Sequence, residues 1–340
     1  MDLDCRHSLF ARGNEFLGTT YPIMGGAMTW LSERNLVSAI SNAGGFGIIA
    51  CGSMQTEQLG EEIEATQKMT NKPFGVNLIL LHPDIDDLIE CCISKKVELV
   101  VFAGGFPKKR QIELLKCKGI KTMCFATTLS IAKKMILYGI DSLVLEGSEA
   151  GGHIGPVSIN VLIQDILPEI KEVPVFVAGG IGRGEIILKF LQLGASGCQI
   201  GTRFVCATES IAHENFKKIF IKSEARNAQV SVKLDERFPI IPVRAIENSA
   251  TKEFVNEQKK LLNLIDKKKI SLREAQLEIE HFWAGSLKNA VIDGDIENGS
   301  LMAGQSVSMV KEIQPVTKIF SDLLMQIDKQ LISERRNHHA

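Results

Sequence analysis

Pro174-Val-Phe-Val-Ala-Gly-Gly-Ile-Gly182, followed about twenty residues later by Gln199-Ile-Gly-Thr-Arg-Phe204, is the stretch on which the fold turns. Each half carries a short run of mostly apolar residues that stops at glycine. A run without polar alternation is how a strand buried on both faces reads. Glycine just past the run lets backbone N–H groups come close to a ligand with no Cβ in the way, and a helix starting there adds positive potential. In many (β/α)8 barrels the loops after the seventh and eighth strands form a phosphate site of this kind. Two tight strand-to-helix turns that bind nothing are the simpler alternative. Two glycine-rich loops at neighbouring strand ends favour the phosphate.

Working outward, apolar runs recur at Tyr21–Met24, Phe46–Ala50, Phe74–Leu80, Leu99–Ala103, Thr122–Ala126, Ser142–Leu145, Val173–Val177 and Gly197–Ile200, eight in all. The segments between them, such as Thr56–Lys68 and Ile131–Leu137, place Lys, Glu and Asp at helical spacing. Eight strands alternating with helices predict an α/β fold, the TIM (β/α)8 barrel. An open doubly wound sheet is the rival, but it calls for an early G-x-G-x-x-G, and Gly44-Gly45-Phe46-Gly47 lacks that spacing. Glycines instead follow several strands, at Gly25-Gly26, Gly104-Gly105, Gly151-Gly152, Gly179-Gly180 and Gly201, as a barrel needs when a flat ligand lies at one mouth. Residues 210–300 hold long helical stretches, Thr251–Leu264 and Ser271–Phe282, and read as a helical insertion capping the mouth after strand eight. The barrel would then comprise residues 1–209 and 301–340, with Pro315–Leu331 as its closing outer helix.

Lys and Arg number 39 against 40 Asp and Glu, a net charge of −1, so no basic excess exists to neutralise phosphates and nucleic acid is not the expected partner. Lys267-Lys268-Lys269 reads as a solvated turn. No signal peptide is visible at Met1–Phe10 and no apolar run approaches a membrane span, so a cytoplasmic protein without a membrane partner is expected. The cysteines at 5, 51, 91, 92, 117, 124, 198 and 206 form no CxxC pair and read as small buried hydrophobes in a reducing compartment.

Chemistry concentrates in Glu146-Gly-Ser-Glu-Ala-Gly-Gly-His-Ile-Gly155, after the sixth strand. A histidine flanked by glycines on a strand-end loop is poorly placed for a packed core, and its ordinary titration range suits proton transfer near neutral pH. No second His or Cys lies at ligand spacing, so no metal is expected. The histidines at 7, 82, 213, 281, 338 and 339 lack such a setting and read as surface or packing residues. Asn77, near the end of a buried strand in Pro73-Phe-Gly-Val-Asn77, must satisfy two donors and an acceptor. A ligand edge would do so; standing alone, neighbouring backbone would do as well.

Together Tyr21–Trp30, Ala43–Ile49, Phe74–Asn77, Glu146–Gly155, Ala178–Ile181 and Gly201–Phe204 resemble the nitronate monooxygenase (2-nitropropane dioxygenase) superfamily, and within it the flavin-dependent enoyl-acyl-carrier-protein reductase II branch. Val243–Ile246 and Gly299–Gln305 carry the likeness of that branch further, so that it runs from about residue 18 to about 330. The resemblance implies FMN, lined by Gly26, Ala27 and Met28 and bonded at its ring edge by Asn77. Glu146 would hold the ribityl chain or nearby backbone, Gly151 and Gly152 would pass beside the ring, and His153 would be the acid/base. Ala178, Gly179, Gly180, Gly201 and Thr202 would hold the phosphate end, with Gln305 closing the site. Related chains often carry Gln where this one has Gly25, which removes one polar contact. The implied reaction is reduction of an acyl-carrier-protein-linked or small enoyl thioester, with NADH or NADPH as co-substrate; oxidation of alkyl nitronates with O2 is the alternative. A homodimer is the expected assembly.

Overall fold

The computed structural model describes residues 2–236 and 240–338. Helix α1 (Asp2–Leu17) leads into strand β1 (Ile23–Gly25), after which helix and strand alternate: α2 (Arg34–Asn42), β2 (Gly47–Ala50), α3 (Thr56–Met69), β3 (Phe74–Ile79), α4 (Ile85–Ser94) and β4 (Leu99–Ala103). The pattern continues through α5 (Lys109–Cys117), β5 (Lys121–Phe125), α6 (Leu129–Leu137) and β6 (Ser142–Glu146). A two-residue strand, β7 (Gly152–His153), interrupts it before α7 (Ile159–Ile166), β8 (Val175–Ala178), α8 (Gly184–Gln192), β9 (Gly197–Ile200) and the single-turn α9 (Thr202–Val205). The remainder is α10 (Glu214–Lys222), β10 (Ala228–Val230), β11 (Val243–Ile246), α11 (Ser249–Asp266), α12 (Leu272–Val291) and α13 (Val316–His338).

All eight apolar runs supply a parallel strand, ordered β1-β9-β8-β6-β5-β4-β3-β2. The ring closes where Phe46 N–H donates to Ile23 O and Gly25 N–H donates to Phe46 O, both at 2.9 Å. The result is the expected (β/α)8 barrel. Alternation of side chains along each strand then divides the core in two. Met24, Phe46, Ile48, Leu99, Val101, Met123, Val144 and Phe176 fill the interior. Ile23, Ile49, Val76, Val100, Leu143 and Val177 face outward and pack under the helices.

Helix α1 stands outside the sequence expectation and plugs the N-terminal end of the barrel. Its last turn lends Leu17, with Phe16 beside it, to the interior cluster, and the Phe16 ring lies 6.0 Å from that of Phe176. Lys121, at the start of β5, bonds the Phe16 carbonyl and sits 5.1 Å from the Phe16 ring centre. Gly13 lets the helix lie this close, since a Cβ there would stand 1.9 Å from Ser196 O.

The insertion departs from an all-helical cap. Strands β10 and β11 within it pair antiparallel, and β11 pairs in turn with β7, setting Val243 opposite His153 and Arg244 opposite Gly152. These strands are too short for any periodicity to show, and their pairing is long-range. Helices α11 and α12 bury Phe254, Leu261, Ile279 and Trp283 in a core of their own, the Phe254 and Trp283 rings 4.3 Å apart. Of the cysteines, Cys51, Cys91, Cys92, Cys124, Cys198 and Cys206 are buried as expected, whereas Cys117 is exposed on α5. Cys5, His338 and His339 lie outside the described side chains. Among the described residues no helix is long and apolar enough to cross a membrane.

Leu17 is 3% exposed, so Leu17→Ala should cost about 2–5 kcal/mol in urea unfolding. A loss below about 1 kcal/mol would show that α1 is not part of the barrel core.

Candidate active site

The C-terminal ends of the strands assemble the site. In the sheet register Glu146 sits beside Ala178, and Ala178 beside Gln199. All three continue the inward-facing positions of Val144 and Phe176, as Asn77 does on β3 beside Val101. The top of the interior therefore carries Asn77, Glu146 and Gln199 above an apolar floor. Asn77 is 5% and Gln199 8% exposed, and among the described residues none of the three side chains has a hydrogen-bond partner. Polar groups at a strand-end opening that make no hydrogen bond to the protein are free to bond a ligand, and three around one opening mark a place that a polar ligand completes. Burial pushes the Glu146 carboxyl up to about 8, with no cation beside it to oppose the shift. At neutral pH it is mainly protonated and can donate as well as accept. Gln199 escaped the sequence reading, although the argument applied to Asn77, a polar residue inside a strand buried on both faces, would have found it.

Three loops converge at the edge of this opening. Gly179 and Gly180 take φ values of +93° and +70°, where side chains are strained. A Cβ would press on Gly147 O at 2.9 Å from the first, and on Glu149 Cβ at 3.0 Å from the second. From β1, Gly26 comes so near β9 that a Cβ would lie 3.2 Å from Gly201 Cα, while the Met28 sulfur borders Gly201. The N–H groups of Gly179, Gly180, Gly201 and Thr202 have no backbone acceptor among the described residues. Exposed N–H groups on a glycine frame suit a phosphate, and unpartnered amide and carboxyl groups suit a polar ring edge. The residues present thus fit FMN. The chain at 303–305 threads past the same loops, Gly304 N–H donating to Thr202 Oγ1 and Gln305 N–H to Glu149 O, both at 3.0 Å. Gly151 is held small by that crossing, since a Cβ would stand 2.5 Å from the Ala303 carbonyl carbon.

His153 stands on β7, reached through Gly152 at φ +77°. Its Nε2 lies 3.2 Å from Glu280 Oε2 on α12. The angle is not that of a hydrogen bond, so Nε2 is shielded yet unbonded and the contact is one of charge and proximity. Arg244, across from Gly152, fixes the loop: its Nε and one terminal nitrogen donate to Ser148 O at 3.0 and 2.8 Å, the other terminal nitrogen to Ala228 O at 2.6 Å. Burial pulls its guanidinium below the usual range. Trp30, on the loop after β1, has φ +68° and donates its indole N–H to Ala284 O at 3.0 Å, with the Lys288 ammonium 5.4 Å over its ring. Glu280, Ala284 and Lys288 recur every four residues, so one face of α12 lies across the mouth. Sequence reasoning did not single out Glu280 or Trp30; neither carries a local signal.

The chain belongs to the nitronate monooxygenase family, whose model matches residues 12–326. At 33% identity it is similar to the (3aS,4S,5R,7aS)-5-hydroxy-7a-methyl-1-oxo-octahydro-1H-indene-4-carboxyl-CoA dehydrogenase of Rhodococcus jostii (strain RHA1), over 65% of this chain and 62% of that protein's length. A probable nitronate monooxygenase of Staphylococcus aureus (strain JH9) is 27% identical over 94% of this chain and 97% of its own. Among solved structures, FabK from Thermotoga maritima superposes with a TM-score of 0.84 at 34% identity, covering 96% of this chain and 98% of FabK.

Two outcomes follow from this geometry. Gly180→Asp sets a strained, negatively charged side chain against Glu149 where the phosphate would sit; it should purify without flavin while its far-UV circular dichroism persists. Full flavin content would put the phosphate elsewhere. For Glu146, the folded-state value near 8 lies above the ordinary 4.5, so its contribution to stability is intact below about pH 4.5 and is lost as pH rises through about 8. In flavin-free protein Glu146→Gln should melt higher than wild type at pH 9, the gap closing toward pH 5; parallel melting curves would contradict the burial argument.

Proposed function

We propose that this protein reduces 2-enoyl thioesters, drawing electrons from NADH or NADPH. The carrying observation is His153, locked by backbone pairing at the barrel mouth with a carboxylate against its Nε2. That setting suits an imidazole that holds a proton and then delivers it. Support for a thioester comes from FabK, of the enoyl-acyl-carrier-protein reductase II type, and from the carboxyl-CoA dehydrogenase relative, whose name specifies a CoA thioester.

When bound, FMN supplies the two-electron redox chemistry, and the chain supplies position and the proton. The N–H groups of Gly179, Gly180, Gly201 and Thr202 would hold the phosphate, with Ala178 beneath. Asn77 and the protonated Glu146 would bond the polar edges. Gly26, Ala27 and Met28 would line one side and Gly151 and Gly152 the other, with Gln305 closing the C-terminal edge. His153 would place its proton on the α-carbon of the enoyl group while the β-carbon takes up the hydride equivalent. Helix α12 would keep water from the reacting carbons.

Nitronate oxidation is the second reading, favoured by the staphylococcal relative along nearly its whole length. There His153 would instead take a proton from the carbon bearing the nitro group, with O2 as oxidant. Anaerobic NADH or NADPH oxidation that depends on a 2-enoyl thioester is the result expected here. Oxygen uptake with ethylnitronate, without thioester-dependent oxidation, would favour the second reading.

His153→Ala should keep the fold and the flavin, because truncation on a glycine-rich strand end opens no large core cavity. Reduction by the nicotinamide should survive in stopped flow, whereas reoxidation by enoyl thioester should slow by about 10² to 10⁴. Normal rates in both halves would reduce His153 to a packing residue.

A further inference from the structure

Among the described residues Glu280 is a carboxylate over the mouth that neither holds a loop nor caps a helix. Among the described residues its carboxylate meets no Lys or Arg, and its only charged neighbour is His153 Nε2 at 3.2 Å. The other charges nearby are committed. Arg244, on β11, spends its guanidinium on the carbonyls of Ser148 and Ala228. Glu149, on the same loop as His153, accepts the Ile159 N–H at 3.0 Å. Lys288, two turns along α12, lies over the Trp30 ring. The Trp30 indole bond to Ala284 O, one turn from Glu280, pins the helix that carries the carboxylate.

We propose that Glu280 is a specificity-determining residue that turns small anions away from His153 and leaves neutral acceptors unaffected. An anion seated against the accessible part of the His153 imidazole, whose Nε2 lies 3.2 Å from Glu280 Oε2, must come within a Debye length of that carboxylate, roughly 8 Å, where like charges repel even when water screens part of the field. A neutral enoyl carbon meets no such barrier. The carboxylate thus acts by penalising the wrong substrate, the repulsive half of specificity, and it steadies any positive charge the imidazole carries. This rests on the reading of His153 as the proton-transferring group.

The test uses the flavin-loaded enzyme and a readout independent of turnover: the perturbation of flavin absorbance by nitrate, a planar anion, and by acetamide, its neutral counterpart. Glu280→Gln, which keeps the shape and removes the charge, should bind nitrate about tenfold more tightly and acetamide unchanged, with the nitrate gain shrinking as salt rises. Glu280→Asp, which keeps the charge, should exclude nitrate as wild type does. Equal nitrate affinity in wild type and Glu280→Gln, no nitrate perturbation in either, or an equal shift for both ligands overturns the proposal, the last by showing a disturbed helix rather than a removed charge. Failure of the wild type to reduce an enoyl thioester counts against the reductase reading alone; the charge filter stands or falls on the nitrate ratio.

Discussion

Phe46 gives its N–H to Ile23 and takes the N–H of Gly25, and with these two bonds eight strands become a ring. Without them β1 and β2 would be free edges, and the inward row of each strand would have no opposite wall to pack against. Closure makes the interior a finite space, filled below by Leu17 and Phe176 and along its length by Met24, Phe46, Leu99 and Val101. It also fixes which residues are left at the top. Once β6, β8 and β9 are in register, Glu146, Ala178 and Gln199 must share one row at the mouth.

That row breaks the rule the rest of the core obeys. Most inward side chains below it are apolar; at it, an amide, a carboxyl and a second amide make no hydrogen bond to the protein among the described residues. Such groups add nothing to the apolar packing below, a common arrangement where function and stability conflict. The glycines after β8 likewise set aside regular packing. At Gly179 and Gly180 the chain takes a conformation that only glycine adopts freely, and so keeps N–H groups unobstructed.

The cap is joined to the barrel through the site as well as through the apolar cluster that packs Leu31, Val205 and Cys206 against Phe216, Leu287 and Val291. Arg244 ties the His153 loop to β10 and β11, and Trp30, in a backbone region that bulky residues avoid, ties the β1 loop to α12. Strain of this sort persists only where surroundings over-determine it. The first tie ends on the loop that carries His153 and the second on the helix that carries Glu280, so α12 and the surroundings of His153 are positioned together.

The residues legible by themselves were those whose constraint is local. Eight apolar runs announced eight strands, because a strand buried on both faces needs no partner to declare it. Gly179-Gly180 and Gly201 announced tight turns at two neighbouring strand ends, since their conformation and lack of a side chain are properties of the residue. Asn77 and His153 stood out because their chemistry clashes with their neighbours. What tertiary structure alone decided were the pairings between distant segments: α1 as the plug, β10 and β11 completing a sheet with β7, Arg244 reaching Ser148, and Glu280 meeting His153. The links back to the barrel join residues far apart along the chain, Val243 with His153 at a separation of 90 and Arg244 with Ser148 at 96. Nothing in three or four residues of β10, or in one glutamate among many on a helix, encodes such a meeting. It exists only once barrel closure has fixed where both ends must lie.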